Sequence, residues 1–512
     1  MRRRARSGIV LSLADCRDPQ GVSRARLFLS ILPLISFCAV ADADTAPTMS
    51  LQDSIQAVLR RDNDAIRVQD EKVKTASSLV QQAAGQFDWG VAAQSGWQAL
   101  YVPHVITGVV PGKGVLSNQT DILSAYYYNL NVGRQFRNGI QIAPGVTAYP
   151  STSGATTAQT FGLTALRPSL GLRIPLIQGL GEEAADSAEL SAKATLTGTR
   201  FDRDFAIAHV THDVVQIYWR CLASDEVARI SAEVLKNGEE YAASMREQAG
   251  RGLVEKSVAE AADAANATRH ITLQQNEDAA LSCHRDLAVA TTGEATGVPP
   301  APQGSLPDVK AAEGIVDTLN DKALDDLALN NRSDVKAARE YVSAALASRK
   351  GTEDSTSPNL SLQIDPTRAI VVYTQSLQNN TAEGKDAQAL SAQRQAEITL
   401  HQLETQIQVD ITDALRNLKG AVAEWKTADN AADQTTAAVA SDEKRARFGV
   451  LGRHDLLTTR DQLTTIEVDR VNAELLFASS MTTLRLVTGT VHPEEETVAA
   501  TAAKFSSLPV PG

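Results

Sequence analysis

Two histidines, His209 and His212 in the segment HVTHD, stand i, i+3 apart, a spacing that puts both imidazoles on one face of a helix. That is part of a metal site, but no third ligand accompanies them, and they read better as polar residues of a wall. The segment GVVPGKG (108–114) resembles a phosphate loop, yet it is one residue short and Gly114 replaces the required Ser or Thr. GLGEE (179–183) lacks the third glycine of a dinucleotide fingerprint. No Ser/His/Asp or Cys/His set has supporting context, so the chain is read as a non-enzyme without cofactor or metal.

The cysteines are more informative. Cys221 lies 31 residues before Gly252, and Cys283 lies 31 after it. If the chain reverses at RGLVEKS (251–257) into antiparallel helices, both thiols reach the same height. In an oxidising compartment a Cys221–Cys283 disulfide is then expected, the alternative being two buried apolar thiols if the helices are rotated away.

Long helices must hold these positions. From Lys256 to Thr292 there is neither glycine nor proline. Leu400, Leu403, Ile407, Ile411, Leu415, Leu418, Val422 and Trp425 recur at steps of three and four, one face of a helix. Val227, Ile230, Val234, Tyr241 and Met245 do the same upstream. At ~1.5 Å per residue, a helix over 385–448 would be ~95 Å long. A second glycine-bearing interruption, RFGVLGRHD (447–455), follows it.

The plan occurs twice. Ile55, Val58, Ile66 and Val73 are matched by Leu324, Leu327, Val335 and Val342, each shifted by 269, whereas Gly449 echoes Gly252 at a shift of 197. The first copy is therefore longer by 72 residues, and the surplus lies between Val73 and Gly252. The expected organisation is an N-terminal extension and signal peptide (1–43), a first repeat (44–293), an inter-repeat segment (294–318), a second repeat (319–489) and a loose C-terminal tail (490–512). The first tip falls near 250–256 and the second near 449–455.

The N-terminal reading rests on Arg24 and Arg26 ahead of the apolar run LFLSILPLISFCAV (27–40), followed by ADA at 41–43. The run is fourteen residues long, too short for a spanning helix, so the protein is expected to be exported. The formal charge is −12, and the seven arginines and three aspartates of 1–43 leave −16 for the rest, which argues against nucleic-acid binding.

Between the helices lie segments that alternate. Trp89, Val91, Ala93, Trp97, Ala99 and Tyr101 fall on one side of DWGVAAQSGWQALYV (88–102), and Leu170, Leu172, Ile174 and Leu176 on one side of SLGLRIPLI (169–177). Period-two apolar alternation with aromatics near the ends fits strands with one face in lipid and one in water. SAYYYNLNVGRQF (124–136) and GIQIAPGVTAY (139–149) are expected to form an extra external hairpin. In the second repeat, NLSLQID (359–365) and AIVVYTQSL (369–377) form a short hairpin. Four strands cannot close a barrel, and open edges are not tolerated in hydrocarbon, so the chain must associate.

The order of parts over 51–489 resembles the TolC-like outer-membrane efflux protein family. The motifs that carry the resemblance are LRPSLGLRIPLIQGLG (166–181), VVQIYWRCLAS (214–224) and RFGVLGRHDLLTTRDQL (447–463). A departure is YTQSLQNNTAEG (373–384), where the family's Pro-Leu-Phe and glycine run would stand. The resemblance implies a mixed all-α plus membrane-β fold: a coiled-coil helical tunnel in the periplasm and a trimeric twelve-stranded outer-membrane barrel, four strands per protomer. It also implies a homotrimer embedded in outer-membrane lipid, a periplasmic adaptor protein and an inner-membrane transporter, as in tripartite efflux or type I secretion. The family's constriction carboxylate matches Asp455, with Arg453 nearby and Thr458 at the next such position. In the first repeat Val258 stands there, flanked by Glu255 and Lys256. These residues are expected to form the gate, the alternative being solvated turn charges. An exported coiled-coil stalk is the competing function.

Overall fold

The computed structural model describes residues 48–509 except 61–63, 111–112, 150–164, 294–298 and 495; for 98–126, 149 and 165–167 only the backbone is described. The expected signal segment, with Cys38, falls outside these residues.

The first half runs β1 (Thr48–Met49), α1 (Leu51–Arg60), α2 (Asp64–Ala84), β2 (Gly90–Val110), β3 (Lys113–Gln135), β4 (Gln141–Tyr149), β5 (Ala165–Pro175), α3 (Glu182–Ala185), α4 (Ser187–Gly250) and α5 (Lys256–Thr292). The second runs β6 (Ala301–Pro302), α6 (Val309–Val316), α7 (Asp321–Asn331), α8 (Ser333–Ser355), β7 (Asn359–Asp365), β8 (Arg368–Thr374), α9 (Asn380–Arg447), α10 (Arg453–Val487) and α11 (Val498–Phe505). The rods α4 and α9 have 64 and 68 residues, or roughly 100 Å each.

Each rod folds back on a shorter helix, α4 on α5 and α9 on α10. Ile407, Ile411, Leu415, Leu418, Val422 and Trp425 of α9 are buried, in one cluster with Phe477, Met481 and Leu484 of α10. In α4, Val214, Val215, Tyr218 and Trp219 pack with Leu287 of α5 and with Ile55 and Val58 of α1. Much of α5 and α9 is exposed outside these thin seams, which is why Ala and Thr can dominate their sequence.

The strands form one antiparallel sheet in the order β2-β3-β4-β5-β7-β8. This corrects the expectation of four strands per chain. The segments expected as an accessory external hairpin, 124–136 and 139–149, are the lower part of β3 and the whole of β4, inserted in the sheet between β2 and β5. The physical reason is that β4 satisfies the backbone of β5 from Ala165 to Arg173, whereas β7 reaches only the four residues from Leu172 to Pro175. The corresponding spans are 90–175 and 359–374, 86 residues against 16, so the surplus of the first repeat sits in the sheet.

The tail expected to be loose folds back instead. Phe505 and Leu508 are buried, and Arg485 donates to the carbonyls of Ser507 (3.0 Å) and Leu508 (2.6 Å). Burial pushes the Arg485 guanidinium down to about 10. From residue 299 on, the inter-repeat segment is held by a parallel bridge of β1 to β6 and by Asp308, which caps α6 by accepting from Lys310 N at 2.9 Å.

Candidate functional site: the two-faced sheet and the hairpin tips

Opposed residues of an antiparallel pair point to the same side, so the register assigns every strand position to one of two faces. Val91, Ala93 and Trp97 of β2 share a face with Leu130 and Val132 of β3. It continues through Ile142 and Val146, then Leu170, Leu172 and Ile174, then Leu362 and Ile364, to Val371 and Tyr373 of β8. Much of this face is open: Val371 is 64% exposed and Trp97 59%. The opposite face carries Gln94, Asn129, Asn131, Gln141, Thr147, Ser169, Arg173, Ser361 and Gln363, with Gly and Ala between them. Among the described side chains, Tyr127, Ile370 and Val372 are the large apolar or aromatic groups on it.

Trp89, just before β2, ends the apolar face, and the Arg134 guanidinium lies 5.6 Å from its ring and 5.3 Å from that of Phe136. Arg134 also donates to the Phe87 carbonyl at 2.9 Å. An arginine stacked between aromatics at one end of a strand is a rim device that the sequence reading missed, although NVGRQF contains it. Of the expected lipid-facing residues, Trp97, Leu172 and Ile174 lie on the apolar face. Tyr101 lies in β2 opposite Ile122, and its side chain lies outside the described residues.

At the far end of the rods the two tips share one geometry. Leu253 N donates to Gln248 O and Gly252 N to Ala249 O; Val450 N donates to Arg445 O and Gly449 N to Ala446 O. This is the Schellman arrangement, and it needs a residue in the left-handed region at the turn. Gly252 (φ 72°) and Gly449 (φ 70°) supply it. An added Cβ would meet nothing at either glycine, so alanine there costs only backbone strain, about 1–2 kcal/mol. Gly252→Ala and Gly449→Ala should therefore speed amide exchange at their own tip, whereas Gly250→Ala, inside the helix, should slow it.

The expected gate residues all sit on these turns, exposed. Glu255 accepts from Ser257 Oγ (3.2 Å), and Lys256 pairs with Glu260 (3.4 Å). Arg453 does not meet Asp455: its Nη1 donates to Ser244 Oγ of α4 at 2.5 Å, a bond from one hairpin to the other. Beside it His454 Nδ1 lies 3.4 Å from the Tyr241 hydroxyl. Phe448 is 84% exposed and Val450 69%, apolar groups at the tip that sequence reasoning passed over.

With sheet and rods described, the chain can be compared with solved structures. It resembles the CmeC outer membrane channel of Campylobacter jejuni (12% identity, TM-score 0.60, 90% of each chain covered). It resembles equally the outer membrane protein VceC of Vibrio cholerae (13%, 0.59, 86% of this chain and 96% of that one). The MtrE outer membrane channel of Neisseria gonorrhoeae is similar over 86% of this chain and 88% of that one (15%, 0.56). The chain has the fold of an outer-membrane channel. No protein-family model matches the sequence, and no curated protein is similar to it. The fold agrees with the resemblance read from the sequence motifs.

In this channel fold a disulfide joins Cys221 of α4 to Cys283 of α5, with Cα atoms 5.3 Å apart. Its level in the second hairpin is occupied by buried Leu418 and Ser480. The hairpins meet along α4 and α10, where Trp219 Nε1 donates to Thr482 Oγ1 (3.2 Å) and Gln216 Nε2 to Ser479 O (2.9 Å). His209 and His212 flank one carboxylate, each 3.1 Å from an oxygen of Asp213, and no metal-binding cluster exists among the described residues.

Lower on that seam, burial pushes the carboxyls of Glu467 and Glu474 above the usual range, while hydrogen bonding to Arg229 holds Glu226 below it. A carboxyl whose folded pKa is raised binds its proton more tightly in the folded state. It therefore adds stability as pH falls and loses it as pH climbs through the folded value. Glu474→Gln keeps an acceptor for Trp425 Nε1, now 3.3 Å away. The variant should melt higher than the parent at pH 8, with the gap closing toward pH 5.

Proposed function

We propose that the chain is one protomer of an outer-membrane duct that conducts solutes out of the cell. Three copies close a β-barrel in outer-membrane lipid, and the helical hairpins extend the conduit into the periplasm. The observation that carries this reading is the sheet: a single apolar face, open to solvent, runs across all six strands opposite a polar one. A sheet with one greasy and one wet side, closed on itself, satisfies its backbone groups in lipid. A stalk without channel activity would leave that face with no apolar medium to bury it.

Trp89, Trp97, Tyr101, Leu172 and Ile174 face lipid on this reading. The tips face the inner membrane, where the exposed apolar Leu253, Phe448 and Val450 offer a landing for a periplasmic adaptor coupled to an inner-membrane transporter. Glu255, Lys256, Arg453 and Asp455 surround the entrance, and Asp455 from three copies forms a ring that favours cations. Asp455→Ala should reduce cation selectivity in single-channel recordings; unchanged conductance and selectivity would remove Asp455 from the gate. The Cys221–Cys283 bridge staples the first hairpin above its tip.

Fractionation tests the function as a whole. A heat-modifiable trimer in the outer-membrane fraction is expected, and a soluble periplasmic rod would support the stalk.

A further inference from the structure

We propose that the polar face of the sheet holds a binding site for an oxyanion, the carboxylate or phosphate group of a small solute, built around Arg173. The proposal rests on the duct reading above, which makes this face the wall of the conduit.

The site lies where the sheet meets the helices. β5 leaves toward α3, β7 arrives from α8 and β8 leaves toward α9. The ends of these three strands border a cleft of about 390 Å³, whose lining includes Arg173, Asn359, Ser361, Gln363, Thr374 and Asn379. That volume falls among small-molecule sites, which run from ~300 to ~1,000 Å³. The register sets Arg173 opposite Gln363 and Ser361 opposite Val372, all on the polar face.

Arg173 is the uncompensated charge of this face. Among its described side chains the charged ones are Arg173, Asp365 and Arg368. Arg368 donates to Asp365 at 2.7 Å, so those two cancel. The one polar contact of Arg173 among the described residues is neutral: Nη2 donates to Asn359 Oδ1 at 3.4 Å. A guanidinium stays charged and has several more N–H groups to give. No carboxylate lines the cleft. Glu383, the acidic residue in the first turn of α9, is not part of its lining.

Two further features of the cleft favour negative charge. Ser361 is 1% exposed, and its Oγ has no hydrogen-bond partner among the described residues. A buried hydroxyl left unpaired is costly, and a ligand oxygen in the cleft would relieve it. Asn379 is the N-cap of the 68-residue α9 and makes no side-chain capping bond. The positive end of that helix dipole therefore lies at the margin of the cleft. A cation there would meet the guanidinium and the helix terminus with nothing to offset them. A carboxylate or phosphate is matched by the guanidinium fork and accepts from the serine hydroxyl. The amides of Asn359 and Gln363 are left for polar groups of the solute's body.

The test uses the full-length protein in a maltoside micelle, which contains no phosphorus, at raised chloride to screen loose charge attraction. The phosphorus NMR line of inorganic phosphate should broaden with the parent protein, and added citrate should reverse the broadening. Arg173→Gln should weaken binding about tenfold or more, the worth of a charge-assisted hydrogen bond. Asn359→Asp should do the same by another route, since the new carboxylate neutralises Arg173 in place. Arg173→Lys keeps the charge and should recover part of the binding, and Arg368→Gln should leave it unchanged. A parent protein that does not broaden the line, or broadening untouched by Arg173→Gln, would overturn the site. Equal loss in Arg368→Gln and Arg173→Gln would also overturn it, as a general effect of lumenal charge. The same preparations are then added to a planar bilayer. Stepwise currents without phosphate binding would overturn the site and leave the duct reading standing. Phosphate binding without currents would overturn the duct reading and leave the site.

Discussion

Serine at both Cys221 and Cys283 is expected to destabilise the first helical hairpin by about 4 kcal/mol, the entropy released by opening a loop of this length. The bridge spans 62 residues, and the helices it joins are held elsewhere by a thin seam of small side chains, such as Ala242, Ala259 and Ala262 near the tip. Hydrogen exchange is the suitable measurement, because protection in a long rod is local. Reduction or double substitution should accelerate exchange in α4 and α5 from the cysteine level down to Gly252. The same treatment should leave α9 and α10 unchanged, since Leu418 and Ser480 stand at that level in the second hairpin. Equal acceleration in both hairpins would show that the bridge acts on the whole assembly.

The second large effect is expected on the sheet. Val371 and Val372 are neighbours in β8 and point to opposite faces. If the apolar face lies in lipid, Val371→Arg costs about 2–4 kcal/mol at the bilayer midplane, and it does so in every copy of the assembly. Val372→Arg places the same charge in the aqueous lumen at little cost. Heat-resistant trimer should therefore be lost for Val371→Arg and retained for Val372→Arg. Loss of both, or of neither, would contradict the assignment of the faces.

The long helices were legible because their signals are local: a run free of Gly and Pro over α5, apolar residues at steps of three and four in α4 and α9, and a glycine at each turn. The cysteine pair was legible for the same reason, since a hairpin turns sequence distance from Gly252 into height. The strands at 88–102, 169–177, 359–365 and 369–377 were found by alternation. What hid the place of β3 and β4 was composition. Tyr126, Tyr127 and Tyr128 put aromatics on both faces of β3, and Gly133, Gly145 and Pro144 mimic loop residues, so the period of two is blurred. Pairing itself is non-local: β5 meets β7 across nearly two hundred residues, and no window of sequence contains both. The ordered tail was missed because VAATAAKF is unremarkable until Arg485, 22 and 23 residues before the carbonyls of Ser507 and Leu508, gathers them. The bond from Arg453 to Ser244 was not legible, because only the docking of the two hairpins brings them close.

Conductance reports whether this chain encloses a water-filled path through a membrane. Purified protein added to one side of a planar lipid bilayer should insert and give stepwise currents of uniform size. Intact membrane resistance, from protein shown to be folded and inserted in the same lipid, would contradict the claim.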